Sequence, residues 1–592
     1  MVIESSNPII TMMKTEWQHL GPNKKRYIFY IVLLSIGGIF RLISPWLIGT
    51  IFNSIQNGQV TTQTELYNLF FMISLLFFIE LGFWIFHGTA RIIEILTGFT
   101  THRNYTNDKI RKVVELPVKW HKDNHSGDTI DRINKARLSL ATYSQHESFK
   151  IISIALKIFG SLGMIFFVNV KIGAFALASC LVILFAAMSL DKKVKASYKE
   201  FNKYEHQLSA SIFDYFSNII TVVTLRLKKI VRKKLDEKIG ISYSAHKKAT
   251  YLMTIKGGLA KLAIVLMTVL ALIYQAYIDF YITGMILIGT LFMLYSYLDR
   301  VGQAFFEFSQ FYGSMTKKAA DIESAEPIDE AFGKIESQLK TTLPKTWQQI
   351  EIKNLNFTYN QEGSIQHLDN IDFNFKHGQK IALIGESGSG KSTILSLLRG
   401  LYLPQKASIT CDGKKLKHGI QTLKQSVTLI PQDPEIFNET IRYNITMDMF
   451  NKEADLKKAI QMAQFETVVN RLPNGVETSV QEKGVSLSGG EKQRLALARG
   501  ILAAKDSDII LLDEPTSSVD SINEKKIHEN IFNEFKDKTI ISSIHRLHLL
   551  DKFDYIYMFD QGKIIGHGTF ENIKENSKFK SIWRRYIGSM KK

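Results

Sequence analysis

The chain has 592 residues, 45% of them apolar, with 74 Lys+Arg against 56 Asp+Glu and a formal net charge of +18. The apolar share excludes a disordered chain. Its two cysteines, Cys180 and Cys411, exclude a disulfide scaffold or a four-cysteine zinc module and predict two unpaired thiols.

A basic excess of this kind marks either a nucleic-acid binder or loops on the cytoplasmic side of a membrane, so its location along the chain decides. The first 20 residues are polar or mixed, with no short apolar core ahead of a small-residue cleavage site, and no cleavable signal peptide is expected. Residues 15–25 read as a segment lying along the membrane surface. Six apolar runs then follow, near residues 27–51, 66–90, 151–170, 173–190, 259–278 and 281–298, each near the length of about 20 helical residues that crosses a bilayer. The first pair is joined by residues 53–65, which hold no Lys or Arg. The third and fourth are separated by a tight turn at 169–171, and the fifth and sixth by Asp279 and Phe280.

Between the second and third runs, and between the fourth and fifth, lie two long basic stretches, about 91–150 and 192–248. Residues 1–325 carry net +15 and the remainder net +3, so the excess belongs to the hydrophobic half. Neither stretch has the Cys/His spacing of a zinc finger or the aromatic signature of an RNA-binding sheet. By the positive-inside rule the basic side is cytoplasmic. Helical apolar spacing in both stretches predicts two hairpins that project about 40 Å at 1.5 Å per residue, turning near 120–130 and near 211–217. A nucleic-acid partner is therefore not expected.

After a polar linker, residues 316–344, the composition becomes that of a soluble α/β domain. Lys380-Ile381-Ala382-Leu383-Ile384 reads as a buried strand. It runs into Gly385-Glu386-Ser387-Gly388-Ser389-Gly390-Lys391-Ser392-Thr393 and then an apolar helix over 394–401. This is G-x-x-x-x-G-K-[ST] in strand–loop–helix setting: the glycines let backbone N–H groups wrap a phosphate, Lys391 supplies charge to the β/γ-phosphates, and Ser392 supplies a hydroxyl to Mg²⁺. Downstream, Ile509-Ile510-Leu511-Leu512-Asp513-Glu514 reads as a buried strand delivering Asp513 to the metal. Glu514, next along, is placed to orient or deprotonate the attacking water. Two acids at a strand end are more often a helix-capping pair, but a phosphate loop upstream reverses that preference.

Between these elements stands Leu487-Ser488-Gly489-Gly490-Glu491-Lys492-Gln493-Arg494, and with it the sequence resembles the ABC (ATP-binding cassette) transporter superfamily. Further matches follow. Tyr359, in Phe357-Thr358-Tyr359, matches the adenine-stacking aromatic, and Gln432, in Pro431-Gln432-Asp433, matches the Q-loop. Glu482 matches the acidic loop that touches the membrane domain in exporters. Asp520, in Ser518-Val519-Asp520, matches the D-loop, and His545 the switch histidine. The resemblance implies that Gln432 reaches Mg²⁺ or the water, that His545 hydrogen-bonds the γ-phosphate, and that Ser488, Gly489 and Gly490 bind the phosphate of ATP held by an opposite cassette. The departures, Glu491-Lys492-Gln493 in place of Gln-Arg-Gln and Ser479 and Gln481 in the acidic loop, remove no phosphate ligand, metal ligand or base.

The expected fold is therefore multi-domain. An α-helical membrane domain of exporter type with six transmembrane helices and two cytoplasmic hairpins (1–315) precedes a linker (316–344) and an α/β P-loop ATP-binding cassette (345–592). The resemblance implies an ATPase with ATP and Mg²⁺ as cofactors and Glu514, His545 and Gln432 as catalytic residues. It implies a partner half-transporter, a homodimer being favoured by the complete set of site residues. It also implies contact with membrane lipids and residence in a bacterial inner membrane with N-terminus and cassette cytoplasmic. Export or flipping of a lipid, peptide or drug-like amphiphile is the expected activity; an exporter-fold importer of a metal chelate or vitamin and a non-transporting regulatory ATPase are the alternatives. Glu80, Trp84 and His87, on one face of the second span, and Asp299, Arg300 and Glu307, at the cytoplasmic end of the sixth, are ionisable or aromatic groups that either serve the substrate or pair among themselves. Phe292, Tyr295, Phe305 and Phe306 are aromatics that either line an amphiphile site or pack.

Overall fold

The computed structural model describes residues 7–580 and 583, other than 59, 125, 336–341, 360–365, 434, 450–451 and 481–486. It forms two compact units: Met1–Lys112 with Gly127–Asp329, and Val113–Ser126 with Glu330–Lys592. Glu482 lies outside the described residues.

The first unit is helical. α1 (Pro8–His19) starts with Pro8 at its first position and Asn7 as its cap, the Asn7 Oδ1 accepting from Ile9 N at 3.0 Å. Long helices follow: α2 (Lys24–Gln56), with Pro45 inside it, and α3 (Gln63–Glu115). The short α4 (Val118–Asp123) belongs to the second unit. Back in the first unit come α5 (Ser126–His146), α6 (Lys150–Ala155), a π-helical turn (Leu156–Gly160) and α7 (Ser161–Val168). Asn169 breaks the helix in extended backbone, and its side chain accepts from Lys171 N and Ile172 N, so one residue ends α7 and caps α8 (Val170–Ser217). α9 (Ile219–Thr224), α10 (Lys228–Thr283) and α11 (Ile288–Glu323) complete the unit, and α12 (Glu326–Ile335) carries the chain from one unit to the next.

Among the described residues, four helices are long and apolar enough to cross a membrane: Gly21–Gln56, Gln63–Glu115, Lys150–Val168 and Lys228–Ile282. Val170–Ala186 is a shorter apolar segment at the expected fourth span. The expected sixth lies largely on α11, whose apolar stretch ends at Asp299 and Arg300.

Three expected boundaries move. The break between the fifth and sixth runs falls at Gly284, left-handed at φ 71° and capping α10, rather than at Asp279 and Phe280. Asp279 stays inside α10, buried, accepting from Gln275 Nε2 at 2.7 Å, so its polarity is satisfied along the helix and breaks nothing. The second hairpin turns a few residues later than expected, after α8 ends at Ser217. The segment expected as linker carries the end of α11 and all of α12, because Ala319, Ile322, Ala325, Ile328 and Phe332 recur at helical spacing and are buried.

The second unit is α/β. Strands β1 (Gln349–Phe357), β2 (Leu368–Lys376), β4 (Lys406–Cys411) and β5 (Lys414–Lys415) form an antiparallel sheet in the order β2-β1-β4-β5. β3 (Lys380–Gly385), β6 (Val427–Ile430), β7 (Ile509–Asp513), β8 (Thr539–Ser543), β9 (Tyr555–Asp560) and β10 (Lys563–Gly568) form a second sheet in the order β10-β9-β3-β8-β7-β6. All its neighbours are parallel except β9 and β10. β7 and β8 are buried along their whole length, as sheet strands covered on both faces must be. α13 (Lys391–Leu398) follows β3, starting three residues earlier than the apolar run implies. It is followed by α14 (Ile441–Thr446), α15 (Glu453–Met462), α16 (Glu466–Arg471), α17 (Gly489–Ala503), α18 (Ser521–Glu534) and α19 (Phe570–Lys574). In this architecture ligands bind beyond the C-terminal ends of the parallel strands.

Candidate nucleotide-binding and hydrolysis site

The ends of β3, β7 and β8 deliver the expected residues to one place. In the loop after β3, Gly385, Gly388 and Gly390 take positive φ of 150°, 79° and 109°. At Gly390 the φ of 109° is a backbone conformation that side-chain-bearing residues rarely adopt, and this favours glycine. The loop curls over the buried Lys391, whose Nζ donates to Gly385 O at 2.9 Å and Glu386 O at 3.0 Å. Burial pushes the Lys391 ammonium below its ordinary range, opposed by the charges of Glu514 and Asp513. Among the described residues Ser389 Oγ is buried without a hydrogen-bond partner, an unspent donor inside a cradle of backbone.

Asp513, the last residue of β7, accepts at Oδ1 from Ser392 Oγ at 2.9 Å and from Ser543 Oγ at 2.8 Å. Burial raises its carboxyl above the usual range, the two hydroxyls pull it down, and neighbouring Glu514 raises it further. Glu514 sits in the left-handed region at φ 47°, its N–H donating to Ser543 Oγ at 2.9 Å. One of its carboxylate oxygens accepts from Gln432 Nε2 at 2.9 Å and the other lies 2.5 Å from His545 Nε2. Tyr359 OH donates to Thr393 Oγ1 at 3.4 Å. Tyr359, the phosphate loop, Gln432, Asp513, Glu514 and His545 are thus gathered around one cradle. Its donor set fits a phosphate with a hard divalent cation: backbone N–H groups and Lys391 for the anion, a hydroxyl and a carboxylate for the metal.

The signature residues form a second group. Ser488 caps α17 in a capping box: its Oγ accepts from Glu491 N at 3.4 Å, and its own N–H donates to Glu491 Oε2 at 2.9 Å. A Cβ on Gly490 would lie 2.6 Å from Ser518 O, so this glycine allows α17 to approach the segment before α18. Gly489 opens α17 between these two. Asp520 caps α18, accepting from Asn523 N at 3.0 Å. Glu386 and Ser387 lie within the phosphate loop, between Gly385 and Gly388.

Three contributors escape sequence reasoning. Ser543 ties Asp513 to the backbone of Glu514. Gln493 bridges the two groups, Nε2 donating to Gln432 O at 3.2 Å and to Ser517 Oγ at 2.7 Å while Oε1 accepts from Ser518 N at 2.9 Å. Its signal was its position three residues after Gly490, on the same helix face. Lys122, on α4, stands 5.9 Å from the Tyr359 ring centroid and 5.5 Å from that of Tyr402; nothing in its local sequence marks it.

Comparison with known proteins places both units. Residues 368–517 match the family model described as ABC transporter, and residues 27–304 that described as ABC transporter transmembrane region. The chain is 26% identical over 590 residues to ABC transporter B family member 6 of Dictyostelium discoideum, across 95% of this chain and 84% of that protein. It is 25% identical over 490 residues to the ATP-dependent lipid A-core flippase of Vibrio parahaemolyticus, across 80% and 81%. A solved structure of a bacterial Atm1-family ABC exporter with ATP bound shares the fold, with TM-score 0.79, 21% identity and coverage of 95% of this chain and 98% of that one. The protein is an integral membrane protein that binds ATP, and it belongs to the ABC transporter superfamily, with an exporter-type membrane region fused to one ATP-binding cassette.

Proposed function

We propose that two copies of this chain form a homodimer in a bacterial inner membrane and use ATP hydrolysis to export or flip an amphiphilic substrate. The observation that carries this reading is the clamp of Gln432 and His545 on Glu514, one residue beyond the Ser392–Asp513 pair. A carboxylate held at both oxygens beside a phosphate cradle has the makings of a hydrolytic base. Similarity to a lipid A-core flippase and to bacterial relatives supports an amphiphile and the bacterial setting. The basic stretches beyond the apolar runs support a cytoplasmic cassette.

In this reading Lys391 turns from the carbonyls of Gly385 and Glu386 to the β- and γ-phosphates. Gly385 to Thr393 wrap those phosphates with backbone N–H groups and the Ser389 hydroxyl, and Tyr359 offers its ring to the adenine. Ser392, Asp513 and Gln432 would hold Mg²⁺, which when bound neutralises charge on the phosphate oxygens. Glu514 orients the attacking water and takes its proton, while Gln432 and His545 fix the carboxylate. Ser488, Gly489, Gly490 and Asp520 face the nucleotide of the second copy. Binding of ATP must favour the closed pair of cassettes for the cycle to be driven.

The test is reconstitution in vesicles with a fluorescent phospholipid or lipid A analogue. ATP should drive it from the cassette-side leaflet to the opposite one, and Lys391→Ala should abolish the movement. Movement the other way would overturn export, and no ATP-dependent movement across a lipid, peptide and drug panel would overturn the transport reading.

A further inference from the structure

The face that α1 buries holds an acid. Its buried residues are Met12, Thr15 and Glu16, and a carboxyl at such a position must have its charge answered or removed. Around Glu16 stand Tyr27 and Tyr30 of α2, Glu94 of α3, and Tyr143 and Ser144 of α5, all buried. The hydroxyls of Ser144 and Tyr27 face its carboxyl. Arg91 and Lys150 act on Glu94. Glu147, which acts on Tyr143, is itself paired with Lys318 of α11.

The two acids of this cluster are not equivalent. Glu94 accepts from Arg91 Nη1 at 2.5 Å on one oxygen and from Ser148 Oγ at 3.2 Å on the other, and Ser148 Oγ is 3.0 Å from Tyr30 OH. Arg91 also donates from Nη2 to Nδ1 of the exposed His146 at 2.6 Å. A cation therefore matches the charge of Glu94, and every bond of this network is kept with Glu94 ionised. Among the described residues no ion pair joins Glu16 to a Lys, Arg or His. Its Oε2 lacks a hydrogen-bond partner among those residues, and so do Tyr143 OH and Ser144 Oγ, on residues 0% and 1% exposed.

An acceptor and two hydroxyls thus lie unpaired in one buried place, where an ionised carboxylate would be uncompensated. A proton on Oε2 supplies what is missing: the charge is gone, and the carboxyl becomes a donor for which either hydroxyl is an acceptor. A metal ion fits less well, because among the described residues no three His, Cys, Asp or Glu side chains gather to hold one.

We infer that Glu16 is a proton-binding site under α1: one proton sits on its carboxyl beside ionised Glu94, bound while α1 is seated and released when α1 lifts away. Burial works in the same sense, raising the Glu16 carboxyl from 4.5 to about 8 against the pull of the two hydroxyls. The seated state holds the proton at neutral pH and the lifted state, open to water, does not, so seating weakens as pH rises toward and past about 8. The site thereby ties pH to the helix that leads through Gly21–Asn23 into α2. It is independent of the substrate and of the direction of transport.

The test is the infrared spectrum of the full chain in lipid nanodiscs, wild type against Glu16→Gln. At about pH 6, where ordinary carboxyls are ionised, the difference spectrum should hold the carbonyl stretch of one protonated carboxyl, and that band should be lost by about pH 9.5. Ser144→Ala removes a hydroxyl that favours the ionised form, so in this variant the loss should move to higher pH by about half a unit or more. A difference spectrum without the band, or a loss that Ser144→Ala leaves unmoved, would overturn the site.

Hydrogen exchange over residues 8–19 tests the link to seating in the same samples. Corrected for intrinsic exchange, it should accelerate about tenfold or more in the wild type between about pH 7 and pH 9.5, and stay slow in Glu16→Gln. Equal acceleration in both would overturn the link. Protection of α1 that rises with added sodium or potassium at fixed pH, with the carboxyl band absent, would show that a metal cation and not a proton answers Glu16.

Discussion

The Nε2 of His545 lies 2.5 Å from one carboxylate oxygen of Glu514, while Gln432 Nε2 donates to the other at 2.9 Å. Glu514 has little freedom left, since its backbone is left-handed and its N–H is spent on Ser543. The three side chains arrive from separate parts of the chain: the loop after β6, the end of β7 and the segment after β8. The same Ser543 that holds the Glu514 backbone also holds Asp513, so the metal-ligand candidate and the base candidate share one support. Gln493 extends that support to the signature helix through the backbone of Gln432.

Gly490→Ala tests whether α17 must touch the segment before α18. The added Cβ would meet Ser518 O at 2.6 Å, and backbone on both sides leaves no flexible end to move aside. Overpacking of this kind costs about 1–3 kcal/mol. ATP turnover should fall along with the apparent melting temperature of the purified protein. A variant with unaltered turnover and stability would show that the contact is dispensable.

His528, on α18, is 1% exposed, both ring nitrogens lack hydrogen-bond partners among the described residues, and Phe532 and Phe553 stand against it. Burial, with the charge of His548 adding to it, pushes its pKa from 6.5 down to about 4. The folded state therefore binds fewer protons than the unfolded state between these values, and stability falls as pH drops from 6.5 toward 4. The loss reaches roughly 3 kcal/mol at the lower end. Hydrogen exchange over residues 521–534 in the full chain should accelerate across this window, and His528→Phe should flatten the dependence. The same acceleration in the variant would remove His528 as its source.

Glu16, on α1, is 1% exposed, and among the described residues its Oε2 has no hydrogen-bond partner. Burial raises its carboxyl from 4.5 to about 8; the hydroxyls of Ser144 and Tyr27 oppose the rise and Glu94 adds to it. Here the folded state binds more protons than the unfolded state, so the group costs stability progressively as pH rises from 4.5 through 8. Glu16→Gln removes that cost. Its apparent melting temperature should exceed that of the wild type by about 2 °C or more at pH 8, and the two should converge near pH 5. A variant less stable than the wild type at pH 8 would mean that the charge, not the neutral acid, fits the site.

Much of the site was legible because it is local. The phosphate loop, Asp513 and Glu514 are carried by short runs in which strand, turn and acid follow one another. Gly385, Gly388 and Gly390 mark the cradle because positive φ leaves a residue-type signature. Ser543 and Lys122 left no such trace, and Gln493 left only its spacing from Gly490, since each acts on residues well separated from it in the chain and takes its meaning from which strand ends and loops become neighbours. The membrane region repeats the lesson. Residues 281–287 stay largely apolar across the real helix break, so hydropathy moved the boundary to Asp279, the nearest charge, while the sign of the break was the conformational freedom of Gly284. By its charge alone Arg300 admits either substrate contact or pairing with its neighbours; in the structure it donates to the Arg41 carbonyl, four residues before Pro45, and only the fold brings the two together.

The central claim is that Glu514 activates water for ATP hydrolysis, and it is tested most directly by the ATP turnover of purified Glu514→Gln in lipid nanodiscs, measured beside retained nucleotide. The substitution keeps the shape and one accepting oxygen, turns the other into an amide donor and removes the base. Turnover should fall by about 10²-fold or more while ATP stays bound to the protein. Turnover equal to that of the wild type would contradict the assignment.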